Sequence, residues 1–203
     1  MTYEPRPSTE DVQAGSGILG LDGSFVRNIP SFVDFETTGD AGVNAGKFGL
    51  DAQAGATQGD FTRMRTFTPL GSGSLDVYEF SVIFSTVSGF DDDYIKTGMT
   101  LQQPGGRGAY WDLLNNEIRF DSTVVQSGIS AGRRTHTEFT IQLDYVENET
   151  RYFVKGAAEA EYTHPDTINL NDDLEARLYI ESNGGGERFV LHHIREVQYF
   201  DKS

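Results

Sequence analysis

Apolar residues recur at alternate positions along most of the chain, broken by glycine-rich stretches, and no segment of useful length carries the repeat of an amphipathic helix. In residues 75–87, LDVYEFSVIFSTV, one parity holds Tyr78, Phe80, Val82 and Phe84 and the other Val77, Glu79, Ser81 and Ile83. Residues 136–146, HTEFTIQLDYV, are cleaner: Phe139, Ile141, Leu143 and Tyr145 alternate with Glu138, Thr140, Gln142 and Asp144, the signature of a strand with one buried face. The polar turn VENETR then leads into Tyr152 and Val154, a hairpin partner. LEARLYIES places Leu174, Ala176, Leu178 and Ile180 on one face. The run RFVLHHIREVQYF reads as the last strand, in which Ile194, Val197 and Tyr199 share a face if one residue bulges between Ile194 and Val197.

Many antiparallel strands of this length, each with one wet face, predict an all-β, two-sheet antiparallel sandwich. Residues 1–30 are polar, contain Pro5, Pro7 and Pro30, and show no obvious strand. They are read as an N-terminal arm for docking or linking, ahead of a sandwich spanning 31–203.

The hairpin FTIQLDYVENETRYFVKG resembles the concanavalin A-like jelly rolls, which include laminin G-like modules and many lectin-like domains. Phe139, Ile141, Leu143, Tyr152, Val154 and Gly156 sit where that pattern wants them. IREVQYF is similar to the family's final strand, and SFVDFETTGDAG to its opening one. The resemblance covers roughly residues 31–200. It implies a jelly roll, and it raises sugar binding, glycoside hydrolysis and calcium as properties to test on the residues.

Charge narrows the partners. The chain has 31 acidic and 16 basic residues, a net charge of −15, with 12 Arg, 4 Lys and no basic cluster beyond Arg133–Arg134. A polyanion such as nucleic acid is repelled. Dispersed acids with few lysines fit a high-salt setting, where screening removes self-repulsion, and fit equally an ordinary acidic protein kept soluble by charge. The chain has no cysteine, hence no disulfide or thiolate chemistry. No stretch approaches the about 20 apolar residues of a membrane-spanning helix, and the N-terminus carries no classical signal pattern, so neither membrane insertion nor classical secretion is expected.

Candidate catalysts are weak. Glycosidases of this fold place acids as Glu-x-Asp-x-Glu or with one more spacer, and the chain offers only Glu147 with Glu149 in a turn and Glu159 with Glu161 on a wet strand face. The reading is therefore not an enzyme. His192 and His193, adjacent on a strand, share a metal only if a bulge lies between them. In GFDDDYIKTG, Asp91, Asp92 and Asp93 fail the EF-hand spacing, since Ile95, Lys96 and Gln102 fall where ligands or glycine belong. An irregular loop could still supply two of the three to calcium, which the resemblance makes worth testing; a hydrated acidic loop is the alternative. A family-style calcium position at Asp34 and Glu36 would want an aspartate in the final strand, where Arg195 and Glu196 stand instead.

Sugar sites stack aromatic rings on the apolar face of a sugar and flank them with polar groups. GRGAYWDLLNNE sets Tyr110 and Trp111 on opposite faces, predicting one of them at a rim, with Tyr94 and Arg107 alongside as ligand contacts; a lone Trp buried in the core is the competing reading. Two functions follow. The first is a non-enzymatic assembly module, a homo-oligomer docked through its arm, of the kind found as capsid decoration, turret or tail protein on a virion surface of a halophilic system and serving in host attachment. It would be made in the cytoplasm and act outside the cell. The second is a carbohydrate-binding, lectin-like module for cell-surface glycans, calcium-dependent if the Asp91–Asp93 loop holds the ion.

Overall fold

A computed structural model describes residues 17–53, 55–66, 75–86, 94–100, 108–131, 134–156, 160–168, 176–181 and 188–200, all in strands, turns or extended connections. The strands are β1 (Gly17–Ser24), β2 (Val33–Thr37), β3 (Gly42–Gly46), β4 (Gly49–Gln53), β5 (Phe61–Thr66), β6 (Leu75–Thr86), β7 (Tyr94–Thr100) and β8 (Gly108–Asp112). They continue as β9 (Glu117–Phe120), β10 (Thr123–Ser127), β11 (Thr137–Asp144), β12 (Glu149–Lys155), β13 (Ala160–His164), β14 (Ala176–Glu181) and β15 (Arg188–Phe200). An eight-stranded sheet runs β13-β12-β11-β6-β15-β4-β3, with β1 also paired to β15. A seven-stranded sheet runs β10-β9-β8-β7-β14-β5-β2.

The alternation dictates which faces meet. Tyr78, Phe80, Val82 and Phe84 of β6 and Phe139, Ile141 and Leu143 of β11 are fully buried, and β12 adds Tyr152 and Val154. The facing sheet contributes Met64, Ala109, Trp111 and Ile118. The Tyr152 hydroxyl bonds across the sandwich, donating to the Arg119 carbonyl (3.1 Å), and Trp111 Nε1–H donates to the Ile129 carbonyl in the connection after β10 (3.0 Å). Burying a ring together with its polar tip costs little when the tip is bonded.

The long strand β15 departs from expectation. Its bulge falls between Leu191 and His193, before Ile194 and not after it. Leu191 and Ile194 consequently both face inward, opposite Phe84 and Val82. Val197 and Tyr199, opposite the outward positions Glu79 and Val77, lie on the other side of the strand from Ile194. The same shift turns Glu196 and Gln198 inward, opposite Phe80 and Tyr78, and both are buried.

The sheet also begins earlier than the sequence suggested. Residues Gly17–Ser24 pair antiparallel with β15 from Phe200 to His193. GILGLDGS carries three glycines and one aspartate in eight positions, which hides its strand character. The stretch assigned to an arm thus contains a strand of the sandwich, while residues 1–16 lie outside the described part.

Candidate functional site

The chain leaves β1 at Ser24 in the eight-stranded sheet and enters β2 at Val33 in the seven-stranded one, so residues 25–32 cross the edge of the sandwich. Phe25, fully buried, anchors the crossing: its N–H donates to the His192 carbonyl (3.0 Å) and its ring meets Phe35 edge-on at 6.4 Å. Arg27 takes a left-handed conformation (φ 58°) and donates its N–H to the Gly46 carbonyl (2.9 Å). A turn closes where the Val33 N–H reaches the Pro30 carbonyl (2.9 Å).

Between β1 and this crossing lies a cavity of about 300 Å³, at the lower end of the range for small-molecule sites. Asp22, Ser24, Asn28, Ser31 and Phe32 line it, together with the backbone of Gly20 and Gly23. Gly23 is required for its shape: a Cβ there would sit 2.6 Å from Pro30 Cγ and 3.1 Å from the Phe32 ring. Asp22 is the only ionisable residue of the lining, and its carboxylate is held by His193 Nε2. The chemistry on offer is an anionic acceptor, an amide that donates and accepts, two hydroxyls and an aromatic ring.

His192, the residue at the bulge, fastens the neighbouring hairpin. Its Nδ1–H donates to the Phe48 carbonyl (2.8 Å), which leaves Nε2 to accept from the Ser85 hydroxyl (2.9 Å). The pair has the spacing of a nucleophile and its base, but Ser85 is buried and the third partner is a backbone carbonyl, so the arrangement serves to hold β3–β4 against β15. Burial lowers the His192 pKa, the Phe48 bond opposes this, and the His136 ring, 4.2 Å away between centroids, adds to the lowering. Folding therefore favours neutral imidazole. The stability that depends on it is complete above the unfolded value of 6.5 and is lost as pH falls toward and through the folded one. Thermal melts at about pH 7.5 and about pH 5 should show a larger loss of Tm for the native chain than for His192→Gln; equal losses would contradict the assignment.

The residues singled out in the sequence do not assemble into one site. Asp91, Asp92, Asp93 and Arg107 lie outside the described residues. Tyr94 opens β7, opposite Glu181, and is described by backbone alone. Tyr110 and Trp111 do take opposite faces, yet neither reaches a rim, because both are fully buried. Trp111 faces the core, opposite Ile118 and against Phe84 and Phe139. Tyr110 pairs with Gly98, which has no side chain to hold the ring off the sheet, and burial raises its pKa.

Among the acids weighed, Glu149 is engaged by Arg151 and Glu36 by Arg63 and Arg65, while Glu159 lies outside the described residues. Among the described residues no three His, Asp or Glu side chains cluster closely enough to hold a metal ion. None of the described helices or strands is a helix long and apolar enough to cross a membrane. The β1 cavity was missed because its residues come from the segment read as an arm. The available signal was the polar and aromatic density of LDGSFVRNIPSF around a single proline.

No protein-family model and no curated protein matches the chain. Solved structures do match in fold. Peanut lectin, solved with a nine-residue peptide, superposes with a TM-score of 0.64 at 12% identity, over 92% of this chain and 99% of the lectin. A protein of unknown function from Shewanella oneidensis MR-1 gives 0.65 at 10% identity, over 100% and 98%. The Bauhinia forficata lectin in complex with GalNAc gives 0.55 at 10% identity, over 92% and 100%. The chain thus has the concanavalin A-like jelly-roll fold of the legume lectins.

Proposed function

We propose that the protein is a carbohydrate-binding, lectin-like module acting without catalysis, and that the sugar sits in the β1 cavity. The observation that carries this reading is the lining itself. Asp22 and Asn28 offer the acceptor and donor pair that neighbouring sugar hydroxyls use, Ser24 and Ser31 extend it, and Phe32 presents an aromatic surface to ring C–H groups. The cavity occurs on a fold shared with lectins, one of them solved with GalNAc, which supports the class without naming the sugar. The assembly reading loses one of its premises, since Gly17–Ser24 of the supposed arm is sheet.

The test is a glycan array on the full chain in high-salt buffer, with calcium and again with chelator. Neutral glycans should bind, and Asp22→Asn and Asn28→Ala should each weaken them about tenfold or more, the scale of a lost hydrogen bond to a charged or well-oriented polar group. No binding to any glycan, or binding indifferent to both substitutions, would overturn the reading. Binding lost on chelation would make the module calcium-dependent.

A further inference from the structure

The β3–β4 hairpin pairs Gly46 with Gly49 and turns in two residues, Lys47 and Phe48. Phe48 is 75% exposed, and Lys47 Nζ lies 5.4 Å from its ring centroid. Arg27, exposed and bonded through its N–H to Gly46, sits beside this tip, with exposed Val26 and Ile29 flanking it. Asn28, next in sequence to Arg27, lines the cavity.

Most of the described arginines are engaged. Arg63, Arg65, Arg119, Arg151, Arg188 and Arg195 each lie within 4.0 Å of a carboxylate. Arg27 and Lys47, like Arg134 and Lys155, form no ion pair with a described residue. In a protein of net charge −15, one cation lies over an exposed aromatic ring and a second, Arg27, is tied through its backbone to the same hairpin. Such a ring stacks on the C–H face of a sugar, a guanidinium grips a carboxylate or sulfate with two parallel bonds, and an ammonium adds a point charge.

We propose that the Lys47–Phe48 tip and Arg27 form a second subsite, which takes the next unit of an oligosaccharide seated in the cavity, and that this unit is anionic, a uronic acid or sulfated sugar. This rests on the carbohydrate reading and fixes the order of the units. Asp22, the only charge in the cavity, disfavours an anion there, so the inner unit is neutral and the outer one acidic.

Isothermal titration of the full chain tests this with four probes: a neutral disaccharide chosen from the array, the same inner sugar carrying an outer glucuronate, free glucuronate, and vesicles of phosphatidylserine and phosphatidylcholine. The acidic disaccharide should bind about tenfold tighter than the neutral one. Lys47→Ala combined with Arg27→Asn, which tolerates the left-handed backbone, should erase that advantage and leave neutral binding unchanged. Phe48→Ala should weaken both disaccharides. Equal affinity for the two disaccharides, an advantage that survives the double variant, or vesicle binding without any glucuronate gain would overturn the subsite while leaving the cavity reading standing. Failure of every sugar to bind would overturn both.

Discussion

Trp111→Ala should destabilise the sandwich by about 3–5 kcal/mol, the usual loss for deleting a buried large aromatic, and lower Tm by roughly 6–20 °C for a chain of this size. The indole is fully buried and joins the two sheets. Its ring meets Phe84 edge-on at 5.9 Å and Phe139 at 5.5 Å, while Phe84 stacks on Phe189 at 4.4 Å. Truncation leaves a cavity among rings that rigid sheets cannot close, and it leaves the Ile129 carbonyl without its donor. Trp111→Phe keeps most of the volume and should cost less, mainly the lost Nε1–H bond. Denaturant melts of both variants separate the two contributions. A loss below about 1 kcal/mol for alanine would mean that the residue is not a core tie.

Gly49→Ala should cost about 2–4 kcal/mol, combining backbone strain with steric overlap. Gly49 has φ 147°, which side chains avoid, and a Cβ would fall 2.4 Å from the Leu191 carbonyl oxygen and 3.1 Å from His192 Nδ1. The obstacle is backbone, so relief requires β4 to separate from β15 where Leu50 pairs with Leu191. Gly42→Ala in β3, where an added Cβ meets nothing within 4 Å, is the matched control and should be near neutral. Similar losses for the two would contradict the close approach at Gly49.

The two-sheet architecture was legible because alternation is strict where one face is dry: the inward residues of β6, β11 and β12 follow the parity in the sequence. The last strand was legible only in part. Periodicity shows that LHHIREVQYF needs one extra residue, but a partner strand decides where it goes, and Phe25 and Phe48 place it at His192 by bonding that residue's carbonyl and ring. The inward Glu196 and Gln198 follow from that choice, and no local propensity signals them. Strand β1 was hidden because glycine and aspartate are depleted from strands, and its pairing with β15 is set by tertiary contact.

The site was the least legible. Aromatic content pointed to Tyr110 and Trp111, but both rings are buried. The cavity instead depends on a fold-level fact, the crossing of residues 25–32 between sheets. The close approach of Pro30 to Gly23 then shapes the cavity beside it.

The most direct measurement is a crystal structure of the full chain grown with the tightest neutral glycan from the array. The account predicts the sugar between β1 and Pro30–Phe32, hydrogen-bonded to Asp22 and Asn28 with Phe32 against its ring. A sugar bound elsewhere on the sandwich, with the β1 cavity unfilled, would contradict it.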